Sequence, residues 1–292
     1  MTIHFGPAGN SESFYVAGYK ATIQMPGWLE QQGLNAYEYQ CGRGVKVSEK
    51  MAQALGAKAK EHGIALSLHA PYYINLANPD PEKQQKTIEY ILQSCQAAHW
   101  MGATRVVIHS GAIMKATREQ ALSVAMEVLR TAQQAVDASG FGHIHLCPET
   151  MGKINQLGNL EEVLSLCSID ERILPTVDFG HLNARTLGGM CQTEHFAEAL
   201  DAMENALGHD RVKVFHSHFS KIAYTKGGEK CHLTFEDEQY GPAFDPLAEL
   251  ICQRGLTPTF ICESAGTQTE DAQEMKRLYE ACKQREKESD HV

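Results

Sequence analysis

Six apolar segments of this chain end in histidine or a carboxylate. They read Leu68-His69-Ala70, Ile108-His109-Ser110, Pro148-Glu149-Thr150, Val177-Asp178-Phe179-Gly180-His181, Phe215-His216-Ser217-His218 and Ile261-Cys262-Glu263. Imidazoles and carboxylates gathered in one place are the ligand set of divalent transition metals, zinc above all. A single histidine after a strand is more often a hydrogen-bonded structural residue, so His69 or His109 alone would carry little. Glu149 and Glu263 carry more, because a carboxylate at the end of an apolar strand is costly unless paired or bound to a cation. Asp178 and His181 reach the same place if the chain turns at Gly180. His216 and His218 are two apart, so on a strand they face the same way, and one can be a ligand with the other as its support. A bridging carboxylate such as Glu149 suits two metals about 3.5–4 Å apart, the spacing that clamps a phosphoester or an enediolate.

The elements that must position these groups alternate. Strands are predicted over Thr2–Ala8, Leu34–Gln40, Ile64–Tyr73, Arg105–Gly111, His143–Thr150, Leu174–His181, Val212–Ser220 and Pro258–Ala265. Apolar residues at three- and four-residue spacing predict helices between them, over Glu49–His62, Pro81–Met101, Thr117–Ser139, Asn159–Cys167, Thr193–Leu207 and Pro246–Arg254. Pro81 opens its helix where a missing N–H costs nothing, and Gly63 and Gly102 fall just past helix ends. Eight strands alternating with helices predict an α/β fold, a single (β/α)8 TIM barrel over residues 1–292 with its active site at the C-terminal mouth of the strands. Neither G-x-G-x-x-G after the first strand nor G-x-x-x-x-G-K-[ST] occurs, which removes dinucleotide and P-loop chemistry. The longest irregular insert is Lys221–Pro242, and the tail from Lys283 is charged and reads as a fraying helix end.

Composition agrees with a metalloenzyme of the cell interior. Of 292 residues, 43% are hydrophobic and 21% charged, ordinary for a globular protein. No run approaches the roughly 18 apolar residues of a membrane span, and the N-terminus lacks a secretory pattern. Nine cysteines without a C-x-x-C pair read as reduced thiols, so a cytoplasmic protein, expected as a monomer, follows. The net charge of −10 argues against a nonspecific nucleic-acid coat protein. It leaves room for an enzyme that grips DNA at one place, where bound cations supply the positive field.

With these residues laid out, the chain resembles the endonuclease IV family of apurinic/apyrimidinic endonucleases, within the wider xylose-isomerase-like barrel superfamily. The resemblance runs from the first strand to the eighth. Its most specific stretches are His69-Ala70-Pro71-Tyr72-Tyr73-Ile74-Asn75-Leu76, Val177-Asp178-Phe179-Gly180-His181-Leu182-Asn183-Ala184, and the His216 and Glu263 strand ends. It implies a zinc-dependent hydrolase with three zinc ions at the barrel mouth, cutting the DNA phosphodiester 5′ to an abasic site. It further implies that His69, His109 and Glu149 hold one zinc, that Glu149, Asp178, His216 and Glu263 hold the second, and that His181 and His232 hold the third. Glu149 would be the catalytic bridge, and Tyr72 matches the family's DNA-contacting tyrosine. Arg43, Lys46, Lys221 and Lys226, on predicted mouth loops, are the expected phosphate-backbone contacts.

Two departures stand out. The family's third-zinc loop carries an acidic ligand two residues before its histidine, but here that position is Lys230, with Glu229 one place earlier. Either Glu229 reaches the metal from a shifted loop, or the third site is weakened or empty. The loop Cys41-Gly42-Arg43-Gly44-Val45-Lys46 is also short beside the DNA-penetrating loop expected there.

Two other functions use much of the same residue set. A sugar isomerase or epimerase of this barrel class needs one metal, and Glu149, Asp178, His216 and Glu263 would hold it. Such an enzyme has no need of His69, His109 and His181. A barrel that binds metal or nucleic acid without catalysis has only Lys230 in its favour. His143 and His145 start the fifth strand, at the end away from the mouth, and His4, His62, His99, His195, His209 and His291 have no partners legible in the sequence.

Overall fold

The computed structural model describes residues 2–289. Strands β1 (His4–Pro7), β2 (Ala36–Gln40), β3 (Ala65–His69), β4 (Arg105–His109), β5 (His145–Glu149), β6 (Thr176–Asp178) and β7 (His216–Phe219) are followed by β8 (Ile222–Thr225), β9 (Gly228–His232) and β10 (Thr259–Cys262). Eight of them pair in parallel in the order β1-β10-β7-β6-β5-β4-β3-β2. A parallel bridge between Ala8 and Glu38 joins the two ends of that order, so the sheet is a nearly closed barrel.

Closure depends on small local features. A Cβ on Gly6 would run into the Ala36 carbonyl, so glycine lets β1 and β2 approach. Asn35 ties the same seam, accepting from the Phe5 amide at 2.8 Å and donating to the Ile3 carbonyl at 3.0 Å. The strands are buried on both faces, as parallel strands covered by helices are, although Glu38, Ser67, His216 and His218 bring polar groups into the barrel.

Helices Glu49–Glu61, Pro81–Met101, Arg118–Ala138, Leu160–Cys167, Thr193–Leu207 and Asp245–Gln253 match the predicted ones to within a residue at each end. Ser48, Asp80, Thr117 and Asn159 cap four of them with side-chain oxygens that accept backbone N–H groups, each worth ~1 kcal/mol. Gly102 ends its helix in the left-handed conformation, φ 72°.

Three expectations change. The Lys221–Pro242 insert is not irregular throughout, because β8 and β9 form an antiparallel hairpin inside it. The sixth strand ends at Asp178 and not His181, since a helix over Phe179–Arg185 starts at once, with Asp178 as its N-cap. The seventh strand starts at His216 and not Val212, which ends a short helix over His209–Val212. The charged stretch from Lys283 is the end of a helix, Gln268–Ser289, as expected, while His291 lies outside the described residues. All nine cysteines are unpaired, and Cys191 and Cys231 are exposed. Among the described residues no helix is long and apolar enough to cross a membrane.

Candidate metal centre

Parallel register sets the level at which each strand-end side chain stands. His109 is paired with Glu149, Asp178 with His218, and His218 in turn with Ile261, two residues before Glu263. The chain then makes one helical turn, held by the His181 amide donating to Asp178 Oδ1 at 2.7 Å, which returns His181 to the mouth. Among the described residues, ligand atoms lie within 4.8 Å of one another in His69, His109 and Glu149; in Glu149, Asp178, His218 and Glu263, which shares Glu149 with the first; and separately in His181, Glu229 and His232, with two further sets, His69, His218 and Glu263 and, deeper, Glu38, His216 and His218. Glu149 divides its oxygens between the first two. Oε2 faces His69 Nε2 at 3.3 Å and His109 Nε2 at 3.5 Å, while Oε1 faces His218 Nδ1 at 3.1 Å.

The histidines are oriented as ligands need to be. Nδ1 of His69, His109 and His181 lies 2.8, 3.1 and 2.9 Å from the carbonyls of Ala70, Tyr72 and Thr150. A carbonyl only accepts, so Nδ1 must carry the hydrogen, and Nε2 keeps its lone pair for the site. His232 Nδ1 lies 2.8 Å from the Ser220 hydroxyl, which can donate or accept and so fixes the ring's place but not its tautomer. Asp178 Oδ2 is buried with no hydrogen-bond partner, since His181 Nδ1, 3.3 Å away, gives its hydrogen to the Thr150 carbonyl, and an oxygen so placed suits a cation. Three buried or half-buried carboxylates, Glu149, Asp178 and Glu263, converge with this orphan. The donor set fits divalent cations.

The charges respond to that crowding. Burial opposes charge on His69, but the Glu149 carboxylate outweighs it and pushes the imidazole up to about 9. Burial likewise opposes charge on His181 and His218, and the carboxylates of Asp178 and Glu263 respectively lead the groups that raise both well above the ordinary value. His109 goes the other way, to about 4, because its burial is the larger effect. Burial would raise Glu149, yet the imidazoles around it, His218 first, hold it well below the usual carboxylate range.

The xylose isomerase-like TIM barrel family matches residues 26–283 of this chain. The chain belongs to that family. It is 32% identical over 238 residues to an uncharacterized protein of Methanocaldococcus jannaschii, covering 81% of this chain and 84% of the relative. It is 30% identical over 202 residues to a probable endonuclease 4 of Mycoplasma pneumoniae, covering 66% of each. Among solved structures, endonuclease IV from Thermus thermophilus superposes with a TM-score of 0.68 at 20% identity, over 96% of this chain and 98% of that one. A D-tagatose 3-epimerase-like protein superposes with a TM-score of 0.73 at 18% identity, over 97% and 99%. The fold is thus shared by xylose isomerase-like barrels named for quite different reactions.

Within this family member, two ligand expectations shift. His218, not His216, joins Glu149, Asp178 and Glu263. Residues two apart on a strand share a face but stand roughly 6.6 Å apart along it, and the register puts His218 level with Asp178 and leaves His216 level with Thr176. His216 instead meets Glu38, Nε2 to Oε2 at 2.9 Å, beneath the mouth. In the third group the acidic member is Glu229. Along the hairpin Ala223 pairs with Cys231 and Tyr224 with Glu229, so Lys230 is a bulge residue without a partner. An odd offset of three would put Glu229 and His232 on opposite faces, and the bulge restores them to one.

Around the metal groups lies a cavity of about 310 Å³ whose lining includes Tyr72, Lys153, Gln40 and Gln156. Tyr72 is exposed at its rim. Arg43 and Lys46 are exposed on the loop after β2, and Lys226 is exposed at the hairpin turn. Lys221 is placed otherwise: its Nζ donates to the carbonyls of Phe235 and Asp237 at 2.7 and 2.5 Å, so it fastens the loop below the hairpin and is not free to meet a phosphate. His143 meets His99 at 3.3 Å and His145 meets the Arg172 carbonyl at 2.6 Å, away from the mouth as expected. The sequence reading passed over Glu38 and Lys153. Glu38 left one signal, a charge in the middle of a strand otherwise made of Ala36, Tyr37, Tyr39 and Gln40.

Proposed function

We propose that this protein is a zinc-dependent phosphodiesterase acting on DNA, one barrel domain that hydrolyses the phosphodiester 5′ to an abasic site. The observation that carries this reading is the division of Glu149 between two ligand groups, with His181, Glu229 and His232 as a third beside them. An epimerase of the same fold would need the Glu149, Asp178, His218 and Glu263 group alone. The additional ligands favour chemistry on a phosphate, which has several oxygens to hold.

His69 and His109 would hold the first cation with Glu149, Asp178, His218 and Glu263 would share the second with it, and His181, Glu229 and His232 would hold the third. Bound there, divalent cations would bring a water within reach of deprotonation near neutral pH and stabilise charge on the phosphate oxygens. The chain's own part is orientation. The backbone carbonyls of Ala70, Tyr72 and Thr150 fix three imidazoles, and the register of β4 to β7 fixes the spacing of the carboxylates. Tyr72 at the rim offers an aromatic face to the gap in an abasic strand, where a nucleotide without its base swings out at little cost. Lys153, which lines the cavity, and the exposed Arg43, Lys46 and Lys226 would meet backbone phosphate on a chain whose net charge is negative.

The test is a pair of assays on one zinc-loaded preparation. Incision of an abasic duplex 5′ to the lesion, with intact duplex left uncut, is the expected result. Epimerisation of a ketose with no incision would replace this reading with the sugar-epimerase one.

A further inference from the structure

Beneath the mouth, Glu38 is wholly buried in the barrel interior. Its Oε2 accepts from the Ser67 hydroxyl at 2.8 Å, and its Oε1 accepts from Gln40 Nε2 at 3.1 Å. His216 Nε2 is 2.9 Å from Oε2. The far nitrogen of that ring, Nδ1, lies 3.4 Å from Arg105 Nη1, which only donates. Nδ1 therefore accepts, and Nε2 carries the hydrogen that His216 gives to Glu38. Three donors already point at this carboxylate, so it is held as an anion.

The fourth neighbour is His218 Nε2, 3.0 Å from Glu38 Oε1, an ion-pair contact that lacks hydrogen-bond geometry. His218 differs from the other mouth histidines. His69, His109 and His181 give Nδ1 to a carbonyl and present Nε2, whereas His218 presents Nδ1 to Glu149 at 3.1 Å and to Glu263 at 3.6 Å. For Nδ1 to offer a lone pair, the ring hydrogen must be on Nε2, and the Glu38 charge beside it favours that position without a hydrogen bond. No backbone carbonyl does this for His218.

We infer that Glu38 is a positioning residue for the metal centre: through His218 it fixes the tautomer and ring angle of the ligand to the cation shared by Glu149, Asp178 and Glu263. Arg105 and His216 extend the arrangement downward, so that a chain of Arg105, His216, Glu38 and His218 runs up the barrel interior to the mouth. A carboxylate in this position also raises the basicity of the ligand nitrogen, and losing one typically costs about 10–100-fold in metal affinity. The inference rests on the metal-centre reading above but concerns a residue beneath the three ligand groups of the mouth.

The experiment compares wild type with Glu38→Gln, and with Ser67→Ala as a milder variant should Glu38→Gln fail to fold. Zinc affinity is read by competition with a chromogenic chelator, and cobalt(II) by its visible spectrum. Glu38→Gln is expected to lose about 10–100-fold in affinity at one equivalent of zinc only, with an altered cobalt spectrum. Equal affinity and an unchanged spectrum would overturn the inference. Independently of any variant, histidine ¹⁵N shifts of the zinc-loaded wild type should place the His218 hydrogen on Nε2, and a hydrogen on Nδ1 would also overturn it. A wild type that binds no zinc would remove the metal-centre reading and this inference together, whereas wild-type binding with an indifferent Glu38→Gln removes only the inference.

Discussion

Glu229 Oε2 stands 3.5 Å from His181 Nε2, although His181 lies in the helix Phe179–Arg185, Glu229 lies in β9, and two helices and two strands separate them in the chain. Their meeting requires the bulge at Lys230, which turns Glu229 toward the same side as His232. It also requires Gly152, whose backbone passes so close that a Cβ there would be 2.7 Å from Glu229 Cβ and 2.8 Å from His181 Cδ2. A lysine at the place of the expected acid thus leaves the third ligand group whole.

Metal content follows from that. Purified without chelator, the protein should carry two to three divalent ions per chain by elemental analysis, with zinc restoring activity after chelation. Glu229→Ala should remove one equivalent, and Lys230→Ala should remove none. An unchanged count in Glu229→Ala would place the third ion elsewhere.

Gly152→Ala should act on the same group from below. The added methyl has no space without displacing Glu229 or His181, so overpacking of roughly 1–3 kcal/mol is expected in a thermal melt. Activity should fall at least tenfold. A variant with wild-type activity and melting would show that the loop gives way more easily than its contacts suggest.

Glu149→Gln should abolish turnover, on the order of a 1,000-fold loss or more, while leaving the fold intact, because the amide keeps the shape but not the charge shared between two ligand groups. His143→Gln, on the far side of the barrel from the mouth, should change activity less than twofold. Circular dichroism and steady-state rates on abasic duplex check both.

Tyr72→Ala should weaken cleavage of abasic duplex tenfold or more without altering zinc content. Aromatic stacking against nucleic acid is worth about 1–3 kcal/mol, and Tyr72 meets the metal groups through its backbone carbonyl, which accepts from His109 Nδ1 and survives the substitution. An equal loss of zinc in the variant would make it a structural residue instead.

Acid sensitivity should have a component at Glu162. Its carboxylate accepts from Arg118 Nε and Nη2, both at 2.7 Å, and from the Gly158 and Asn159 amides at 2.7 and 2.9 Å. Burial would raise its pKa, but these donors, Arg118 first, lower it below the ordinary value. A depressed folded-state pKa contributes stability that is fully present above the unfolded value of about 4.3 and is lost as pH falls through the folded one. Glu162→Gln should therefore cost roughly 1–2 kcal/mol at pH 7, modest because Arg118 is partly exposed and solvent screens the pair. The gap between variant and wild type should close below about pH 4. A gap that stays constant from pH 7 to pH 3 would assign the effect to shape rather than charge.

The alternation of strands and helices, the barrel and the mouth at the strands' C-terminal ends were all legible in the sequence. Apolar periodicity, helix caps and the position of His69, His109, Glu149 and Glu263 just after apolar runs are local properties, and local properties are what a sequence displays. Tertiary structure decided the rest. His216 and His218 have the same parity and the same neighbours in sequence, and only the pairing of β7 with β6 and β10 shows which of them is level with Asp178. Glu229 and His232 look mismatched until the hairpin pairing reveals an unpaired Lys230. The role of Glu38 was not legible, because Ser67 meets it only through the pairing of β2 with β3, and His216 and His218, 178 and 180 residues away, only across the closed barrel interior. Register between strands is a long-range quantity fixed by packing, so a ligand set can be named from sequence while the atom that each ligand offers cannot.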